Sequence, residues 1–465
     1  MRRLSSYTIL SDRLKKGGYA LLSGITGALD VIGDELNGIL RDKMRGADPH
    51  DIWFETGVLP ENIEAQWLDR GYLTNDSHQD EKARLKLLAE VLHEYHSATT
   101  SIVIVPDMDC NYRCFYCFEK HLHADGVSKP ALEPEEVEWI FKAIDQIGDG
   151  KTVQKVITLF GGEPLNAKNK AVVERIVDRG LARGDCFHAV TNGHDLDAYL
   201  PLLGKNGIAT VQITMDGPQP VHDRRRVPID GSSSYRRLIA NIRKALTETD
   251  VGIGIRMNVD GTNLDDFGAL VDAFDREGWM KSDRFSVVAA TLYQRDKDGG
   301  IAPARELSSL VFGLRKYADR YSNIALGSAQ STGGDMVYAS LMYAQPHKLK
   351  SAHCGAAAGM FIFTPGGKIY SCWEAVGTKH GEIGSYDAAG MTLDPVKSAE
   401  WFGRDAALIP ECLDCRYCLI CSGGCPQYAM HNNGTLYKPY CEDFPQTYPW
   451  VLADYVEKFL AEQGL

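Results

Sequence analysis

The chain has 465 residues, too many for one ordinary hydrophobic core, and its 44% apolar and 24% charged residues are a globular composition. Lys and Arg number 50 against 62 Asp and Glu, a formal charge of -12, so duplex nucleic acid has no electrostatic footprint here and is excluded as a partner. No apolar run approaches the roughly 20 residues of a membrane helix, and the amino-terminal residues lack the apolar stretch of a signal peptide. No membrane partner and a cytoplasmic location are therefore expected.

Residues 1–100 read as a small α/β module. Residues 6–14 and 19–23 are strand candidates joined by Lys15-Lys16-Gly17-Gly18, a hairpin signal. The spacing of Leu29, Ile32, Leu36 and Leu40 predicts a helix over 26–44. A second helix is expected at 60–70, opened by Pro60 and stopped at Gly71, and a third at 80–96. From residue 101 apolar strands alternate with helices, at 102–105, 156–160, 187–190, 209–214, 251–259 and 285–289. Val137, Ile140, Phe141 and Ile144 recur at helical spacing behind Pro134. Six strands separated by helices imply a parallel, right-handed α/β layout, and the count suits a partial six-stranded barrel over 101–300 better than a closed eight-stranded one. Residues 301–350 form a bridging region with a helix at 306–321 and a loop at 331–335. Residues 351–445 are rich in Cys, Gly and Pro and too poor in apolar pattern to hold themselves by burial alone. A terminal helix closes the chain at 446–465.

The cysteines carry the chemistry. In a reducing compartment twelve of them are not a disulfide framework. Three fall at 110, 114 and 117, eight between 354 and 441, and only Cys186 stands alone. Cys110-x3-Cys114-x2-Cys117 follows the first barrel strand, so it lies at that strand's C-terminal end, where parallel α/β folds bind ligands. Three thiolates can wrap one corner of an iron–sulfur cube and leave its fourth iron open, and an open metal position marks chemistry. Phe115, Tyr116 and Phe118 would shield it from water. On the residues alone a zinc knuckle completed by His121 or His123 stays open. The run Arg224-Arg225-Arg226 is read as a local feature.

This loop resembles the signature of the radical S-adenosylmethionine (SAM) superfamily, with the aromatic Tyr116 before its last cysteine. Further segments are similar in the expected order. Gly161-Gly162-Glu163 follows the second strand and resembles the GGE motif, which implies a hold on the SAM amino group. Thr191-Asn192-Gly193 follows the third strand. Thr214-Met215-Asp216-Gly217 follows the fourth and resembles the Ser-x-Asp-Gly segment of peptide-modifying members, with Thr in place of Ser. Arg256, on the fifth, is the candidate for the SAM carboxylate. The resemblance implies a [4Fe-4S] cluster that splits SAM into methionine and a 5′-deoxyadenosyl radical, fed by an external donor such as flavodoxin or ferredoxin. The cofactor supplies the difficult chemistry and the protein supplies position and exclusion of water.

The second field resembles the SPASM domain of peptide and protein maturases: Cys354, then Cys372, then Cys412-x2-Cys415-x5-Cys421-x3-Cys425, then Cys441. That resemblance implies two auxiliary [4Fe-4S] clusters, three clusters in all. Cys412, Cys415, Cys421 and Cys441 would hold the outer one, and Cys354, Cys372 and Cys425 the inner one. Cys418 is an extra that either completes the inner set or is a bystander, and zinc ribbons are the competing reading for CxxC pairs. Glu374, two residues after Cys372, is a candidate catalytic base, against a plain solvated glutamate. The first 100 residues resemble the winged-helix module that captures a leader peptide as an added strand. The function implied is a maturase of a ribosomally made precursor peptide, forming a C–C, C–O or thioether crosslink. The rivals are an anaerobic sulfatase-type maturase oxidising Cys or Ser, and, from a different class, a zinc-bound scaffold.

Overall fold

A computed structural model describes residues 1–98, 100–123, 129–147, 155–295, 301–327 and 333–464. It divides into two units, Met1–Ala98 with Ser328–Ala358 and Arg404–Leu465, and Thr99–Gly327 with Gly359–Gly403.

The first unit begins with β1 (Arg2–Leu4), β2 (Thr8–Arg13), β3 (Tyr19–Ser23), β4 (Leu29–Ile32), α1 (Asp34–Met44), β5 (Trp53–Phe54), α2 (Glu61–Asp69), β6 (Leu73–Thr74) and α3 (His78–Ser97). The hairpin expected around Gly17-Gly18 is present. The helix expected over 26–44 is corrected at its start. Leu29–Ile32 pairs antiparallel with β3, and the helix begins only at Asp34. Two apolar residues three apart, Leu29 and Ile32, fit one helical turn and a short strand alike, so periodicity could not separate them.

Alternation along β3 divides the interior. Leu21 enters a core with Leu40, Trp67 and Tyr72. Ala20 and Leu22 face a second core with Tyr7 and Ile9, and this one also takes Leu413, Cys418, Leu419 and Ile420 from the cysteine-rich segment. Helices Gly334–Met342 and Phe444–Glu462 complete it through Val337, Tyr448 and Leu452. The amino-terminal sheet and the late cysteines thus share apolar packing.

The second unit is built on β7 (Ser101–Ile104), α4 (Pro134–Gln146), β8 (Val156–Leu159), α5 (Lys170–Leu181), β9 (Cys186–Thr191), β10 (Ile208–Thr214), α6 (Gln219–Arg225), α7 (Ser234–Glu248), β11 (Gly252–Val259), α8 (Phe267–Arg276), β12 (Phe285–Thr291), the hairpin β13 (Tyr293–Arg295) and β14 (Ile301–Pro303), α9 (Leu307–Arg320), β15 (Ile324–Leu326), β16 (Met360–Thr364), β17 (Lys368–Tyr370), β18 (Glu382–Asp387) and β19 (Gly390–Leu393). Its sheet runs β15-β12-β11-β10-β9-β8-β7-β16-β17-β18-β19. The six expected strands lie side by side in chain order and parallel. That is the single winding of a barrel rather than the reversal of a doubly wound sheet. Two further parallel strands were not expected: β15 beside β12, and β16 beside β7. β16 is buried at all five positions, a short apolar run inside a segment dominated by Cys and Gly. Part of the loop expected at 331–335 lies outside the described residues, and Gly334 and Asp335 already belong to a helix.

Candidate functional site

All the motifs read as cofactor-binding sit at the C-terminal ends of the parallel strands or, for Arg256, on one of them. The cysteine loop follows β7, and residues 227–229 hold it in place. Arg113 N–H donates to Val227 O at 2.8 Å, and Ile229 N–H donates to Asn111 O at 2.9 Å. Burial pushes the thiols of Cys110 and Cys114 up, and that of Cys117 up to about 12. As bare thiols they are neutral, whereas a bound metal takes them as thiolates.

The loop after β8 meets the cysteine loop through a glycine. Gly162 has φ +27°, and a Cβ there would lie 2.1 Å from Asp109 O and 2.7 Å from Asp107 O. Only a residue without a side chain lets the two loops approach this closely. Glu163 N–H then donates to Asp109 O at 2.8 Å. The Glu163 carboxylate is buried and accepts from Leu165 N (3.0 Å), Asn192 N (2.6 Å) and the Thr191 hydroxyl. Burial pushes its pKa up to about 7, against those three hydrogen bonds. The Asn192 amide bridges onward, donating to Asn111 Oδ1 at 2.7 Å and approaching Cys110 Sγ at 3.9 Å. Gly161, Gly162, Glu163 and Asn192 thus sit together around Cys110.

The loop after β10 forms a second cluster. Thr214 is buried and stands in register with Arg256 on β11, whose Nε donates to Asn258 Oδ1 at 2.9 Å. Asp216 is fully buried, and protein groups engage both of its oxygens. Asn258 N–H donates to one at 3.0 Å, and the Tyr116 hydroxyl and Arg225 Nε (3.5 Å) meet the other. Tyr116, from the cysteine loop, is thereby tied to the fourth strand's end. Arg226 Nη1 reaches the Tyr116 hydroxyl at 3.2 Å, and Arg225 Nη1 pairs with Asp260 at 2.8 Å.

These arginines are the residues missed from sequence, where Arg224–Arg226 was taken for a local basic run. Arg225 is only 5% exposed, and its guanidinium lies 5.3 Å from the ring centroids of Phe115 and Tyr116. Arg226 lies close enough to Cys114, Tyr116 and the Asp216 carboxylate for each, when ionised, to hold its guanidinium charged. Their position at the end of a Pro218-opened helix, Arg225 its last residue and Arg226 its cap, was the available signal. The shielding expected of the aromatics is uneven, since Phe115 is 55% and Phe118 36% exposed. Both ring nitrogens of His121 face main-chain oxygens, those of Phe118 and Val376 at 3.1 Å, which tells against its use as a zinc ligand. The side chain of His123 lies outside the described residues.

Glu374 is half-buried in the 3-10 turn Trp373–Ala375 behind Cys372. Trp373 packs edge-on against Phe160 at 4.3 Å, and Phe160 stacks with Phe118 at 6.1 Å. Within the second unit that turn therefore stands beside the ends of β7 and β8.

In the first unit, a small cavity is lined by Cys412, Cys415, Cys418, Cys421 and Cys441. Cys418, placed from sequence with the inner set if it is a ligand at all, faces this outer cavity. Four cysteines spaced by three follow a helical turn, with Cys415 N bonded to Cys412 O and Cys418 N to Cys415 O, each at 3.0 Å. Spacing by three keeps side chains on one face. Cys354 and Cys425 lie in the same unit, where both are close enough to Arg404 for their charges to act on it; Cys372 belongs to the other unit. Among the described residues no disulfide joins any of the twelve cysteines.

Residues 104–274 match the radical SAM superfamily. The chain carries a radical SAM domain. Such a domain uses SAM and a [4Fe-4S] cluster, and the half-buried cysteine trio after β7 fits the cluster. TigE of Paramaledivibacter caminithermalis, a radical SAM cyclopropyl synthase, is 24% identical over 264 residues, 51% of this chain and 53% of that protein. That match spans about half of each. The serine-type anaerobic sulfatase-maturating enzyme of Bacteroides thetaiotaomicron is 25% identical over 395 residues, 76% of this chain and 90% of that one. In fold, the chain is similar to anSMEcpe with bound AdoMet and a Cp18Cys peptide, with a TM-score of 0.56 at 15% identity over 78% of this chain and 96% of that one. It is also similar to SuiB of Streptococcus suis, with a TM-score of 0.50 at 15% identity over 94% and 98%. Among the described residues no helix is long and apolar enough to cross a membrane.

Proposed function

We propose that this radical SAM protein is a three-cluster maturase that modifies a precursor peptide. The observation that carries the reading is the second cysteine cage. A radical SAM domain needs three cysteines, and here five more line one separate cavity. Cys110, Cys114 and Cys117 would hold the first cluster, four of the five cavity thiols the outer auxiliary one, and Cys354, Cys372 and Cys425 the inner one. When bound, the first cluster and SAM supply a 5′-deoxyadenosyl radical able to take hydrogen from an unactivated carbon. The chain's own residues then have three tasks. Glu163, Asn192, Thr214 and Arg256 present polar groups at the strand ends, where the amine and carboxylate of SAM would be gripped. Tyr116 and Asp216 lock the cysteine loop to β10 and keep water from one side. Glu374, beside the same strand ends, is the candidate to accept a proton from the substrate.

The peptide substrate is supported by the peptide bound to anSMEcpe and by the amino-terminal sheet. In the order β2-β3-β4, the β2 edge is occupied: Arg416 donates to Thr8 O at 3.2 Å. The β4 edge, where Val31 is 50% exposed, is the one a leader would extend. The product would be a C–C, C–O or thioether crosslink, with flavodoxin or ferredoxin as electron donor. A second reading, oxidation of a Cys or Ser on a protein, is favoured by the 90% coverage of the sulfatase-maturating relative.

Anaerobic reconstitution should give roughly 12 irons per chain with matching sulfide, and SAM cleavage on reduction. Incubation with candidate precursor peptides should give a loss of two hydrogens with a linked pair on fragmentation. An unlinked aldehyde would move the assignment to the second reading. Zinc without sulfide would refute both.

A further inference from the structure

Arg404 is completely buried, and among the described residues no carboxylate lies within ion-pairing distance of it. Its guanidinium is wrapped by main-chain oxygens of the loop between Cys421 and Cys441. Nε donates to Leu436 O at 2.6 Å, Nη2 to Gly423 O at 3.0 Å and Lys438 O at 3.3 Å, and Nη1 approaches Ser422 O at 3.4 Å. The neighbouring acid is otherwise engaged: the Asp405 carboxylate caps Ala407 N at 2.7 Å. A fixed cation buried without a counter-ion is costly, and carbonyl dipoles do not neutralise it.

The groups near enough to act on Arg404 once ionised are the thiols of Cys354, Cys425, Cys412 and Cys421. Gly423 brings the cation to one of them. A Cβ there would stand 3.3 Å from Arg404 Nη2 and 3.6 Å from Cys412 Sγ, so the bare glycine lets guanidinium and thiol close on the same point. As neutral thiols these groups cannot balance the charge. As metal-bound thiolates they can.

We propose that Arg404 is a positioning residue, a shared counter-cation between the inner thiols Cys354 and Cys425 and the outer thiols Cys412 and Cys421, which raises the reduction potentials of both auxiliary clusters. The inference rests on the reading that these cysteines carry clusters. Reduction adds one electron, and so one negative charge, to a cluster already negative, and forms or breaks no covalent bond. A fixed positive charge beside it favours the reduced form.

The test uses the full chain, purified anaerobically as wild type, Arg404→Gln and Arg404→Lys, with iron and sulfide counts and a dithionite titration followed by electron paramagnetic resonance. Arg404→Lys should hold both auxiliary clusters near wild-type potentials. In Arg404→Gln the reduced-to-oxidised ratio of both should fall about tenfold at fixed potential, a 59 mV shift for one electron, while the cluster of the Cys110 loop is unmoved. Loss of auxiliary iron from Arg404→Gln but not Arg404→Lys also supports the role, because it follows the charge. Unchanged potentials in Arg404→Gln overturn it. So does equal iron loss from both variants, which would make the hydrogen-bonding fork, not the charge, decisive. A wild type with only four irons would overturn the auxiliary-cluster reading and this role with it, and is seen before any substitution is made.

Discussion

Replacing Gly162 with alanine should empty the first cluster site, although Gly162 carries no ligand atom. Its φ of +27° disfavours any L side chain, and the new Cβ would lie 2.1 Å from Asp109 O. The backbone strain costs about 1 kcal/mol. Relieving the overlap means moving a carbonyl that accepts from Glu163 N at 2.8 Å, which forfeits a further 0.5–1.5 kcal/mol or so. The total is about 2 kcal/mol, and the displaced atom is one residue from Cys110. Gly184→Ala is the control: its φ is +81°, and nothing lies within 4 Å of its Cβ position. It carries the strain without the collision, so about 1 kcal/mol is expected. The assay is iron per chain after identical reconstitution, beside the apparent thermal midpoint of each variant. Gly162→Ala should lose about four irons and the larger share of stability, and Gly184→Ala should keep wild-type iron. Equal iron in both variants would refute the claim that the loop contact shapes the site.

Tyr116→Phe removes a hydroxyl that meets Asp216 and Arg226. A buried carboxylate losing a donor costs about 1–3 kcal/mol, so SAM affinity measured by equilibrium dialysis should weaken about tenfold or more with iron retained; unchanged affinity would remove Tyr116 from the site. Arg3 and Glu81 form an ion pair with almost no exposure. Arg3→Met should destabilise the first unit by about 3–5 kcal/mol, and adding Glu81→Met should recover much of that; amide exchange in β1 reads it, and a double variant no better than the single one would contradict the account. Acid should loosen the same unit. Burial pushes His347 from 6.5 down to about 4, so it is neutral when folded. Above pH 6.5 the proton balance is the same folded and unfolded, and between 6.5 and 4 only the unfolded chain protonates. Stability is then lost as pH falls, by up to about 3 kcal/mol. His347→Gln should flatten that slope, and an unaltered pH profile would show that another group governs it.

The second unit was legible because its signals are long and repeated. Six apolar runs of four to nine residues separated by amphipathic helices leave few alternatives to a parallel α/β sheet, and the functional motifs follow those runs directly. What escaped were elements too short to show a period. β4 borrowed a helical spacing, β15 has three residues, and β16 sits among glycines and cysteines. The site was legible where chemistry is carried by rare residues and hidden where it depends on burial. Nothing in an Arg-Arg-Arg run says which guanidinium is 5% exposed beside a buried aspartate, and nothing marks Arg404, whose partners are carbonyls distant in sequence. Cys418 lines the outer cavity, and the sequence carries a trace of that placement, since 412, 415, 418 and 421 share a period of three.

That period also bears on how residues 1–98 are held. Tyr7 donates to Leu413 O at 2.6 Å, and Arg416 donates to Thr8 O, so both bonds from the amino-terminal sheet land between or beside cysteines of the outer cavity. The core those residues share includes the buried Cys418 and its neighbours Leu419 and Ile420. A cysteine-rich segment with so little apolar pattern depends on a staple for its conformation. On the proposed reading a cluster is that staple, and the sheet packed on the segment depends on it at one remove. On the same reading, a leader-capturing module and a cluster-holding cavity would share one core rather than be joined by a linker. Loading the cavity would then firm the turn from Cys412 to Cys421, against which the inner face of β2 and β3 packs.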